Sequence, residues 1–141
     1  MNWDIRYSHL AEEDILKIYR YIARAFHDRE SAAGQAMRIV RAARSLENMP
    51  LRHRLYEDEP WHSLGLRIMP VDNYVVLYWP DEMAKIVHIA RIVYGKMDIP
   101  AQLDFEEIRL FIGEGMKDLE AGNIRNAEDV FEELRERYKT A

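Results

Sequence analysis

The sequence predicts an α+β fold: an N-terminal strand, a helix hairpin, then a three-strand antiparallel meander in one sheet, followed by a helical C-terminal arm. Three observations predict it. Apolar residues recur every three to four positions through residues 9–46, then fall into three strand-like runs between Leu64 and Tyr94, two of them alternating and one continuous. The turns between the later runs are too short for a crossover, so those strands must be antiparallel. Charge then divides the chain. Residues 1–100 carry 14 Lys and Arg against 14 Asp and Glu, whereas residues 101–141 carry 6 against 11. The whole net charge of −5 therefore lies in the arm, and such asymmetry speaks about partners rather than about fold.

Each element has its own signal. Trp3, Ile5 and Tyr7 alternate with Asp4, Arg6 and Ser8, as in a half-buried strand. Ser8 can cap a helix over roughly 9–27, whose apolar face is Leu10, Ile15, Ile18, Tyr19, Ile22 and Phe26. Asp28 opens a second helix with Ala32, Ala36, Ile39, Val40, Ala43 and Leu46 on one side, and Pro50 lies just past its end. Small residues at 32, 33, 34 and 36 allow the two helices a close approach. Residues 50–62 show no periodicity and read as a loop. Leu64, Leu66 and Ile68 alternate with Gly65, Arg67 and Met69, and Val71-Asp72-Asn73 supplies a turn. Tyr74–Trp79 is β-branched and aromatic, as a central strand is. After Pro80-Asp81-Glu82, the run Ile86–Tyr94 alternates with His88, Ala90 and Ile92 on one face.

In the arm, Phe105, Ile108, Ile112, Met116 and Leu119 share a helical face, Phe111 adds to its apolar content, and Gly122 is a C-terminal stop. Asn126 with Asp129 resembles a capping box for a last helix bearing Val130, Phe131, Leu134 and Tyr138. Faces this apolar must dock on something.

Composition excludes several classes of function. There are no cysteines, hence no disulfide, no thiolate metal site and no cysteine nucleophile, which is compatible with a reducing, cytoplasmic setting. No stretch approaches the roughly 18 apolar residues of a membrane span, so no membrane is expected as a partner. Met-Asn-Trp-Asp does not start a signal peptide. His53 and His62 sit nine residues apart around Glu57, Asp58 and Glu59 without metal-ligand spacing, and Gly113 and Gly115 do not follow a strand as a phosphate loop requires. No metal and no cofactor is expected.

The ordered set Tyr7-Ser8, Asp14-Ile15, Ile18-Tyr19, Tyr21-Ile22, Leu46…Pro50, Gly65-Leu66-Arg67, Pro70-Val71…Asn73-Tyr74, Leu77-Tyr78 and Val87-His88-Ile89…Arg91-Ile92-Val93-Tyr94-Gly95-Lys96 resembles the RelE/ParE superfamily of bacterial toxins. It covers about residues 1–100. Glu114-Gly115, Gly122, Glu128-Asp129-Val130-Phe131 and Leu134-Arg135…Tyr138 resemble the toxin-binding C-terminus of Phd/RelB-type antitoxins. The resemblances imply a toxin domain over 1–100 and an antitoxin-like neutralising segment over 101–141, fused in one chain. The segment's anchors would be Phe105, Ile108, Phe111, Ile112, Met116, Val130, Phe131, Leu134 and Tyr138.

RelE-type members cut mRNA on the ribosome without metal. That chemistry needs a base, an acid and cations around the phosphate. Where that branch places an arginine after the central-strand tyrosine, Val75 stands here; where some nucleases place His-Tyr, Val93-Tyr94 stands here. These departures resemble the ParE branch, which poisons DNA gyrase by binding. Arg67, Arg91 and Tyr94 are the catalytic candidates if the protein is a metal-independent endoribonuclease acting on ribosome and mRNA. Each has a structural alternative: Arg67 as a paired strand arginine, Arg91 as a contact for an acidic arm, Tyr94 as a packed strand-end tyrosine. Arg52, Arg54 and Lys96 are candidates for target binding, and Arg52-His53-Arg54 is equally the composition of a solvated loop. The expectation is a ParE-like toxin inhibited by its own arm, in cis or swapped between two chains of a homodimer. A nuclease, or a non-toxic dimerisation module, are the rivals.

Overall fold

The computed structural model of the chain describes residues 2–120 and 125–126, with side chains as far as Ile112. Strand β1 (Asp4–Tyr7) runs straight into helix α1 (His9–Phe26). Ser8 is the hinge between them: its backbone is extended, and its hydroxyl accepts from Ala11 N–H at 3.0 Å, satisfying a free donor of the first helical turn. His27, with φ of 50°, stops α1 in the left-handed region. Asp28 caps helix α2 (Arg29–Arg44) through both Ser31 N–H and Ser31 Oγ. Ala32, Ala36 and Ala43 are buried, so small side chains do bring α2 close to α1.

Strands β2 (Arg67–Val71), β3 (Tyr74–Asp81) and β4 (Ile86–Tyr94) form the expected antiparallel meander. β1 adds to β4 in parallel, Tyr7 opposite Ile89, giving the order β2-β3-β4-β1. The hairpin α1–α2 packs on one face, where Ile15, Ile18, Ile39 and Val40 meet Val76, Tyr78, Val87 and Ile89.

The other face is covered too. Leu66, Ile68, Val75, Leu77, Ala90 and Val93 form a second core with Tyr56, Trp61 and Ile108. Ile108 belongs to helix α4 (Phe105–Glu120) and is 2 % exposed. Phe105 packs edge-on to Trp61 at 5.8 Å, and Phe111 edge-on to His88 at 5.6 Å. Asp104 caps α4, its carboxylate accepting from Glu107 N–H at 3.1 Å. A sheet buried on both sides explains why Tyr74–Trp79 is a continuous apolar run rather than an alternating one. Burying a side chain such as Ile108 contributes roughly 1.5–3 kcal/mol.

Four expectations need correction. Leu64 does not begin a strand: it ends a short helix, α3 (Trp61–Leu64), and Gly65 at φ of 83° turns the chain into β2. The segment 50–62 is likewise more than a loop, since it holds a 3₁₀ turn at Pro50–Arg52 and the start of α3. One-turn helices are too short to show a period.

Third, a register shift beside Leu77 and Tyr78 leaves Ala90 as an extra residue in β4. Beyond it, Ile92 faces the hairpin with Val87 and Ile89, not the side of His88 and Ala90. One added residue inverts every later side chain.

Fourth, the arm contains a strand. Arg125–Asn126 form β5, antiparallel to β1 at the sheet's edge, with Asn126 opposite Arg6. Asn126 thus sits in a strand where a helix cap was expected. Pairing of two residues through backbone alone leaves no apolar pattern to read. Val130, Phe131, Leu134, Tyr138 and Gly122 lie outside the described residues, as do the side chains of Met116 and Leu119.

Candidate partner-binding groove

β4 is longer than β1, so among the described residues its edge past Ile89 has no strand beside it. Bare edge N–H and C=O groups need partners. Side chains supply them in sequence. Ser8 N–H donates to Ile89 C=O at 3.0 Å, and Ser8 Oγ to Ala90 C=O at 2.8 Å. Asp14 Oδ2 accepts from Ile92 N–H at 2.9 Å. Gln102 then closes the edge: its Oε1 accepts from Tyr94 N–H at 3.3 Å and its Nε2 donates to Tyr94 C=O at 2.9 Å. One amide side chain thereby stands in for a residue of a neighbouring strand.

Asp14 also receives Arg91 in a fork, Nε to Oδ2 at 2.8 Å and Nη2 to Oδ1 at 3.1 Å. The side chains are 16 % (Arg91) and 9 % (Asp14) exposed. Burial pushes the Asp14 carboxyl above its ordinary value, outweighing the pull of Arg91, Ile92 N–H and Lys17. The hydrogen bonds to Asp14 hold the Arg91 guanidinium above its own, with Glu107 of α4 and Glu13 adding to it. Arg91 further donates to Gln102 C=O at 3.2 Å. The pair therefore ties α1, β4 and the lead-in to α4 together.

Above this floor lies an open groove of about 930 Å³ between the second half of α1, the start of α2 and the ends of β3 and β4. Tyr94 lines it, edge-on to Tyr74 at 5.7 Å. Three large apolar side chains on its walls face water: Tyr21 at 64 %, Phe26 at 67 % and Met97 at 64 % exposed. Phe26 was expected in the core; it lies in the last turn of α1, away from the buried part of that helix. On the α2 side, Asp72 accepts from Arg38 Nε at 2.8 Å and from Gln35 Nε2 at 3.0 Å. Arg38 and Gln35 hold the Asp72 carboxyl below its ordinary value and fix the β2–β3 turn against α2.

The predicted catalytic residues divide. Arg91 and Tyr94 share the groove, whereas Arg67 is not among its walls. Arg67 Nη1 donates to His53 C=O at 2.7 Å and Leu51 C=O at 3.3 Å, pinning the loop before α3. Among the target-binding candidates, Arg52 is exposed but holds Asn48 C=O at 2.6 Å and Ser45 C=O at 3.2 Å. Arg54 pairs with Glu57 at 3.4 Å on the surface, and Lys96 is exposed beyond β4. Among the arm residues, Phe105, Ile108, Phe111 and Ile112 sit with the second core. Among the described residues, no three His, Asp or Glu side chains converge as metal ligands do.

Sequence reading missed Asp14, Gln102, Tyr21 and Met97. Asp14 had a signal: a charge on the apolar face of α1, between Ala11, Ile15 and Ile18. Gln102, in a short irregular connection, had none.

The comparisons fit this geometry. The family model for the ParE toxin of the type II toxin–antitoxin system parDE matches residues 5–99. The chain belongs to the ParE toxin family. It is therefore a RelE/ParE-superfamily protein, of the toxin side of type II toxin–antitoxin systems. Among solved structures, it is similar to the chromosomal ParDE system of P. aeruginosa, with a TM-score of 0.54 and 18 % identity, over 65 % of this chain and 95 % of that one. That likeness is one of fold. The toxin–antitoxin complex RelBE2 of Mycobacterium tuberculosis is also similar, at 22 % identity and a TM-score of 0.48, over 67 % of this chain and 92 % of that one. No curated protein matches the sequence. No helix among the described residues is long and apolar enough to cross a membrane.

Proposed function

We propose that residues 1–100 are a ParE-like toxin body that acts by binding a target, DNA gyrase, and that residues 101–141 hold it inactive as an antitoxin-like segment of the same chain. The observation that carries this reading is the seat of α4: Ile108 is buried in the second core, and Phe105, Phe111 and Ile112 pack against it beside Tyr56 and Trp61. A solvent-facing helix has no need of such anchors, and a displaced one would uncover a large apolar surface. Tethering keeps such a segment at an effective concentration of order mM, enough to saturate even a weak site.

A binder is favoured over a nuclease by what the candidate residues already hold. Arg91 is committed to Asp14, Arg67 to two loop carbonyls, and Tyr94 lies against Tyr74. An acid–base set for RNA cleavage needs groups free to meet the reacting atoms.

The test is inducible expression in bacteria of two forms. The complete chain should leave growth unchanged. A full-length form in which Phe105, Ile108 and Phe111 are replaced by Glu should arrest growth with DNA damage and intact messages. Messages cut on ribosomes would replace the binder with the nuclease. A soluble, folded variant with no effect on growth would remove the inhibitory role of the arm.

A further inference from the structure

We propose that the groove beside Tyr21, Phe26 and Met97 receives residues 127–141 of a second copy of this chain, so that two copies fill each other's grooves. This rests on reading the arm as the chain's own inhibitor, and adds where its last segment acts and in which copy.

The groove has the shape of a helix seat. Ile18, Tyr21, Ile22 and Phe26 run along α1 at spacings of three, one and four, with Met97 opposite and Tyr74 and Tyr94 beneath. Tyr21, Phe26 and Met97 are exposed above buried Ile18 and half-buried Ile22, and a hydrophobic groove of this kind receives the apolar face of an amphipathic helix. The floor is already fixed by Asp14–Arg91 and by Arg38 and Gln35 on Asp72. Little ordering remains to be done on binding.

Charge selects the occupant. Residues 17–44 carry seven Lys and Arg against Asp28 and Glu30. Lys17, Arg38 and Arg91 line the groove against Asp14 and Asp28; Arg38 is paired with Asp72, Arg91 with Asp14, and Asp28 is turned onto Ser31 as a cap, which leaves Lys17 as the lining cation for which no ion pair is described. Residues 127–141 carry five acids against three bases, with four of the acids between 128 and 133. Within them Val130, Phe131, Leu134 and Tyr138 have the spacing of one helical face. The apolar face of this segment matches the apolar groove, and its acids match the basic excess of residues 17–44 around it.

Direction selects the copy. β5 is antiparallel to β1, with Arg125 opposite Tyr7 and Asn126 opposite Arg6, so the chain leaves β5 toward the Asp4 end. The groove lies the other way. α1 continues past the end of β1 beside residues 91–94, and Tyr21 is thirteen residues beyond Ser8, roughly 20 Å along a helix. Fifteen residues of helix span about 22 Å in all. A helical 127–141 would spend that length on the return and have none to lay along its own groove. A reciprocal, two-fold arrangement removes the difficulty, because each segment need only reach the neighbour.

The test uses full-length chains in sedimentation velocity. The native chain should show a concentration-dependent dimer that weakens as salt rises. Tyr21→Glu with Phe26→Glu removes the seat, and both positions are exposed, so the core is untouched. Phe131→Glu with Leu134→Glu removes the occupant. Each pair should weaken self-association by at least about 30-fold. Mixing the two variants should restore a heterodimer, which holds one intact groove and one intact segment. A native chain that stays monomeric at hundreds of micromolar, a dimer indifferent to both pairs, or a mixture that forms no heterodimer would overturn the proposal. Growth assays separate it from the reading beneath. A monomeric native chain whose Phe131→Glu, Leu134→Glu variant arrests growth means inhibition within one copy, and the groove assignment falls. A dimer with the predicted mutant pattern, but a harmless segment variant, upholds the groove and removes the inhibitory role.

Discussion

Asp14 carries more of the architecture than any other polar residue described here. It accepts from Arg91 twice and from Ile92 N–H once, at the point where β4 outruns β1. Removing one member of such a pair leaves the other desolvated and uncompensated. Asp14→Ala should therefore cost roughly 3 kcal/mol in denaturant unfolding, and Asp14→Leu with Arg91→Met much less than the sum of the single changes. Tyr78 gives a second residue-scale expectation. Its hydroxyl donates to Pro50 C=O at 2.7 Å, and burial pushes its pKa from 10.0 up to about 12. On raising the pH, the unfolded chain ionises first. Stability from this group is whole below pH 10 and is lost between pH 10 and about 12. Burial raises Tyr7 in the same direction. Tyr78→Phe should cost about 1 kcal/mol at neutral pH and make alkaline unfolding less steep, as followed by circular dichroism.

Among the elements, α4 and its lead-in lie beyond the residues that the family model matches. Ile108→Ala should destabilise by about 2–4 kcal/mol, the range for emptying a well-filled core site. Gln102→Ala should be milder in stability, but should speed hydrogen exchange at Tyr94 N–H, whose acceptor is lost. Unchanged exchange there would mean that the amide clamp does not hold the strand end. Elements with a long period were legible in the sequence: both hairpin helices, β3, and the first turns of α4 declare themselves by spacing. What escaped has a common cause. The Ala90 bulge is a single residue of phase, α3 is one turn, and β5 is two residues of backbone pairing. None is long enough to make a pattern, although each decides where side chains point.

For the whole molecule, sequence read the family and the charge division correctly but not the groove. Arg67, Arg91 and Tyr94 stood out as chemistry-bearing residue types. Two of them prove to be structural pins, because only tertiary contact reveals that Asp14 and the carbonyls of Leu51 and His53 claim them. Phe26 looked like an ordinary member of an apolar helix face, Tyr21 entered only through the resemblance, and only the fold shows that both stand exposed on the wall of a groove. The central claim is that one chain holds both a ParE-family body and the segment that silences it. Inducible expression of the chain with and without residues 101–141, scored by colony-forming units, tests it most directly. Growth arrest by the shortened chain alone, relieved by supplying residues 101–141 as a separate polypeptide, is the predicted result. Equal arrest by both forms, or a folded shortened chain that leaves growth untouched, would contradict it.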